Sequence, residues 1–163
     1  MLKVILGLTV GIILVLAGRA NADIVRQQMP CDSTCTTLPP GDTGSFTARS
    51  VTFAAPGRGK LVVSFHGFLY CINNGAASAN FITDTQIVEG NAEPNAVGPS
   101  GLEYYGTVPG GGGIATFNLA SHRVFTITGA GTHTYRFRLT RNLVPISSAC
   151  SVYNGTFTTD FRE

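Results

Sequence analysis

Helical spacing is missing from this chain once its first residues are passed, and so are the short motifs that mark the common catalytic folds. Without apolar residues at helical intervals, a helical bundle and an alternating α/β architecture are both excluded. Four consecutive glycines, Gly110–Gly113, suggest a phosphate-cradling loop. No Gly-Lys-Ser/Thr and no helix pattern follow them, so the stretch reads as a flexible turn. There is no Gly-x-Ser-x-Gly elbow either. Lys and Arg are absent between Leu61 and His122, a span that holds Asp84, Glu89, Glu93 and Glu103. Arg123, Arg136, Arg138 and Arg141 then follow with no acid until Asp160, which leaves two oppositely charged sectors free to pair within the fold or between chains.

What the chain does have begins with Met1–Ala22, which reads as a secretory signal peptide. Lys3 gives the charged start, Val4–Leu16 the apolar run, and Ala20-Asn21-Ala22 the small-x-small cleavage pattern. The run is shorter than the ~18–20 apolar residues of a spanning helix, so no membrane span is expected after cleavage. Cleavage removes Lys3 and Arg19 from eleven basic residues, leaving nine against nine acidic ones. A neutral mature chain gives no support to nucleic-acid binding. The expected location is outside the cytoplasm, extracellular or periplasmic.

Four cysteines in an exported chain point to bridges. The favoured pairing is Cys71–Cys150 with a small local Cys31–Cys35 loop, although spacing alone leaves crossed pairings open. No second Cys or His pair stands at ligand distance from Cys31 and Cys35, and neither a metal nor a cofactor is expected.

Residues 23–42, with Pro30, Pro39 and Pro40 and no periodicity, read as an extended N-terminal arm. Residues 43–163 are then the folded domain. Strand-like runs divide it at Gly, Pro and Asn: Gly44–Ala54, Lys60–Cys71, Phe81–Val88, Leu102–Val108, Ile114–Leu119, Arg123–Thr128, His133–Thr140 and Cys150–Phe161. These runs predict an all-β, two-sheet antiparallel β-sandwich, in the form of a jelly roll.

The organising run is Lys60–Cys71. Its odd positions, from Leu61 to Cys71, are apolar or small and belong on a core. Its even positions, Val62, Ser64, His66, Phe68 and Tyr70, place aromatic rings and an imidazole on the face that should meet water, so a contact surface is expected there. Together with Arg136 and Arg138, on the polar face of His133–Thr140, they form the candidate binding or self-association face.

The stretch Phe125–Leu139, FTITGAGTHTYRFRL, resembles the strand–turn–strand signature of complement-type, tumour-necrosis-factor-like jelly rolls. Gly131 would be the turn glycine and Tyr135 and Phe137 two of the aromatics, while His133 stands where that family prefers tyrosine. The resemblance implies a threefold homo-oligomer. The same letters resemble the tyrosine corner of immunoglobulin-like sandwiches, the alternative fold, but there is no tryptophan to pack on a bridge.

Catalysis would have to rest on a histidine base. Ser64 and His66 share a strand face, and His122 and His133 lie beside a turn and a strand start. The acids Asp84, Glu89, Glu93 and Glu103 have no calcium-loop spacing and read as a solvated face. Asn154-Gly155-Thr156 is a glycosylation sequon or, more simply, a turn or bulge. The expected function is therefore a secreted non-enzymatic module for adhesion, surface structure or recognition of a surface ligand or glycan. The alternative is a small extracellular hydrolase.

Overall fold

The computed structural model describes residues 25–28, 36–38, 44–92, 102–143 and 147–163. The strands are β1 (Val25–Gln28), β2 (Thr37–Leu38), β3 (Gly44–Ala55), β4 (Gly59–Asn73), β5 (Ala79–Glu89), β6 (Leu102–Val108), β7 (Gly113–Ile127), β8 (Gly131–Leu143) and β9 (Ser148–Arg162). One sheet runs β1-β9-β4-β7 with β2 also on β9, and the other runs β3-β8-β5-β6. β1 pairs with the Thr156–Thr159 end of β9 and β2 with Cys150 and Ser151. The two short strands thus share one edge, and each sheet is four positions wide.

The pairings are nested. β5 pairs β6, β4 pairs β7, β3 pairs β8 and β2 pairs β9, all antiparallel and alternating between the sheets. A long hairpin rolled on itself gives this order, which is the jelly roll. The immunoglobulin alternative does not hold. Its bridge links two sheets, whereas Cys71 and Cys150 are register partners within one sheet and bonded there.

Period-two alternation builds the core. Leu61, Val63, Phe65, Leu69 and Cys71 on β4 are fully buried, and so are Tyr135, Phe137 and Leu139 on β8. Phe65 and Phe137 stack across the interior with centroids 3.8 Å apart, and the Phe157 ring meets Phe65 edge-on at 5.9 Å. Side chains from both inner faces interlock in this way to form a sandwich core.

Three expectations change. Ile114–Leu119 and Arg123–Thr128 are parts of one strand, because β4 offers an unbroken register from Asn73↔Gly113 to Gly59↔Ile127 and Ser121 turns inward to continue the alternation. The N-terminal arm contributes strands to the sandwich, and Leu38 is wholly buried in the core. Strands of four and two residues carry too little alternation to be read, and their stability comes from β9. The glycine run is pinned rather than loose. The Gly111 and Gly112 amides donate to the carbonyls of Gly75 (2.6 Å) and Asn73 (2.8 Å). Their φ values of 69° and 82° require glycine. Cys31, Cys35, Glu93 and the 1–22 segment lie outside the described residues.

Candidate binding face

The outer surface of β9-β4-β7 is built row by row from the register. Across β9, β4 and β7 it reads Asp160, Val62, Val124; then Thr158, Ser64, His122; then Thr156, His66, Ala120. Beyond a bulge it continues Tyr153, Phe68, Asn118; then Ser151, Tyr70, Thr116; then Ala149, Ile72, Ile114. From the Ser64 row to the Ile72 row none of these residues of β9, β4 and β7 is an acid, lysine or arginine, and Arg26 of β1 pairs with Thr158 at the edge of the Ser64 row.

The bulge makes the centre of this face. His66 opposes Thr156 and Phe68 opposes Tyr153, so Gly67 alone faces Asn154 and Gly155. One extra residue on β9 puts Tyr153 and Asn154, neighbours in sequence, on the same side of the sheet. Asn154 takes the left-handed conformation with φ 46°. Phe68, Tyr70, Thr116, Tyr153 and Asn154 consequently surround a shallow, mostly apolar depression of about 360 Å³. The Tyr70 and Tyr153 rings meet edge to face with centroids 5.6 Å apart. Phe68 is 42% exposed and Ile114, two rows on, 54%, so apolar side chains are left uncovered around the depression.

Val62, Ser64, His66, Phe68 and Tyr70 therefore share one face, as their spacing predicts. Arg136 and Arg138 do not join them. They stand on the outside of the opposite sheet, where Arg136 donates to the Gly90 carbonyl and Arg138 to that of Ala92 (3.1 Å). The acidic and arginine-rich sectors meet within the fold, since β5 and β8 are hydrogen-bonded neighbours. Arg123 likewise donates to the Ile87 carbonyl (3.0 Å), and Arg141 is buried with its guanidinium over the Phe46 ring. Tyr153, Asn154 and Thr116 escaped the sequence reading. The available signal was the Asn-Gly pair in a strand pattern, a bulge mark that did not reveal which side chains it would turn outward.

Two of the three histidines are neighbours on this face and the third is remote. Ser64 and His122 are register partners, His66 sits one row on, and none of the described residues hydrogen-bonds Ser64 to either ring. His133 Nδ1 is 2.8 Å from Glu89 Oε1 at the far end of the other sheet. Tyr135, beside this pair, has its pKa raised first by burial and then by the Glu89 charge. Among the described residues no group of three or more His, Cys, Asp or Glu side chains is placed to hold a metal ion.

The open edge of β7 is guarded. The Tyr104 hydroxyl on β6 donates to the Ala120 carbonyl (3.0 Å) and accepts from the Ala120 amide (2.8 Å). It occupies the main-chain groups through which another strand would pair at that point. Contact through the face is thereby separated from contact through the edge.

No known protein family matches the sequence, and no curated protein resembles it.

Proposed function

We propose that the protein is a secreted, non-enzymatic β-sandwich module for adhesion, surface structure or ligand recognition, and that it works as a homo-oligomer joined through the outer face of β9-β4-β7. The observation that carries this reading is the cluster of Phe68, Tyr70 and Tyr153 with exposed Ile114 in the row beyond Tyr70.

Export is supported by the composition of Met1–Ala22 and by the buried Cys71–Cys150 bridge. The tumour-necrosis-factor-like resemblance implies three copies. Hydrolysis by a histidine base has less support, because none of the three histidines lines the aromatic depression. Light scattering on the purified protein tests the reading. A single mass of several chains at micromolar concentration is the expected result; a monomer would overturn self-association and leave the face to a foreign ligand such as a glycan.

A further inference from the structure

A second depression, of about 550 Å³, lies where the chain turns from β3 into β4, walled by Arg58, Lys60, Thr126, Thr128, Arg162 and Glu163. Gly59 allows the crowding. A Cβ there would come within 2.3 Å of the Arg162 carbonyl oxygen, so only glycine lets this turn lie against the end of β9. The register sets Lys60 directly between Arg162 and Thr126. Like charges opposite one another on adjacent strands repel, and Arg58 adds a third cation.

These side chains are tethered. Lys60 Nζ donates to Thr126 Oγ1 (2.7 Å) and Arg58 Nε to the Thr128 carbonyl (3.0 Å). Each tether uses one N–H and leaves the rest of the ammonium and both terminal guanidinium nitrogens unspent. Arg162 reaches Asp160 (3.1 Å), while Arg58 and Lys60 have no ion-pair partner among the described residues. Three cations thus stand against Asp160 and Glu163, in a concave site whose donors point from three strands and a turn.

We propose that this depression binds a tetrahedral oxyanion, the sulfate or phosphate group of an anionic polysaccharide, through Arg58, Lys60 and Arg162. Guanidinium and ammonium donors match such a group in charge and geometry. The walls favour a polysaccharide over a lipid surface. Thr126 and Thr128 offer hydroxyls, and the apolar member, Ile127, is 3% exposed and has nothing to insert into a bilayer. The site occupies the Arg162–Lys60–Thr126 row at one end of the same outer face, eight residues along β4 from Phe68 and beyond the uncharged rows that run from Ser64 to Ile72.

Titration calorimetry with dextran sulfate and phosphorylated dextran, at two salt concentrations, tests the assignment. Binding to either charged polymer, absent for neutral dextran, should weaken at least tenfold in the combined Arg58→Gln, Lys60→Gln, Arg162→Gln variant, with a flatter salt dependence. Arg136→Gln with Arg138→Gln, on the opposite sheet, should leave the affinity unchanged. Inorganic sulfate should shift the amide resonances of Gly59, Thr126 and Thr128 in the unaltered protein. Equal affinity of the triple variant, an equal loss in the Arg136/Arg138 variant, or no shift at those amides would overturn the site. Binding to anionic phospholipid vesicles but not to dextran sulfate would overturn the polysaccharide assignment in favour of a lipid headgroup.

Discussion

Cys71 and Cys150 face one another as register partners on β4 and β9, their α-carbons 4.1 Å apart, in a bridge that ties residues 79 positions apart in sequence. Closing so long a loop limits the unfolded chain by about 4–5 kcal/mol on the chain-entropy account. Cys71→Ala with Cys150→Ala should lower the melting temperature sharply, and Cys31→Ser with Cys35→Ser far less. Calorimetric scans of the two variants decide the matter; equal shifts would contradict it.

Phe65 is the hinge of the core packing, stacked on Phe137 and edge-on to Phe157. Truncation removes a fully buried ring and leaves a cavity between the sheets. Phe65→Ala should cost about 3–5 kcal/mol in urea unfolding. A loss below about 1 kcal/mol would mean that the sheets close over the gap.

Much of this was legible because alternation is a local property. Leu61, Val63 and Phe65 point inward and Val62, Ser64 and His66 outward as their order in the chain dictates, and His133, Tyr135, Phe137 and Leu139 share the inner side of β8. Pairing between distant strands is not local. Nothing near Arg136 or Arg138 reveals that β8 lies beside β5 and turns both arginines away from Phe68. The bulge that brings Tyr153 and Asn154 onto one face, and the edge that captures β1 and β2, likewise exist only once β9 has found β4.

Tyr104 closes the free edge of β7 at Ala120 with two hydrogen bonds. Tyr104→Phe keeps the ring and removes both, which should cost about 1–3 kcal/mol. Hydrogen exchange at Ala120 should accelerate. An unchanged exchange rate would show that the hydroxyl protects nothing.

Burial, and then Glu89, raise the Tyr135 pKa above the ordinary tyrosine value. A group whose folded pKa is raised gives stability that is whole below the unfolded pKa of about 10 and falls as pH climbs above it, because the unfolded chain loses the proton first. The unaltered protein should lose up to about 1.4 kcal/mol more per pH unit above pH ~10 than Tyr135→Phe does. Parallel stability curves for the two proteins between pH 9 and 11.5 would refute the shift.

Assembly is the prediction with the widest consequence, and it turns on Phe68 and Tyr70. In an isolated chain Phe68 is 42% exposed and Tyr70 is covered only in part, against Tyr153. Covering a large apolar side chain is worth ~1.5–3 kcal/mol, and Ile114, one row beyond Thr116, extends the same uncovered surface along β7. Phe68→Ser with Tyr70→Ser should therefore convert an oligomer into a folded monomer, because both side chains point away from the core and their loss opens no internal cavity. Arg136→Gln with Arg138→Gln should leave the mass unchanged, since both arginines bind carbonyl groups of their own chain on the opposite sheet. Light scattering gives the mass and circular dichroism the fold for each variant. If the serine pair remains oligomeric while the arginine pair dissociates, the contact lies on the β3-β8-β5-β6 face, and the aromatic depression is left exposed in the assembly.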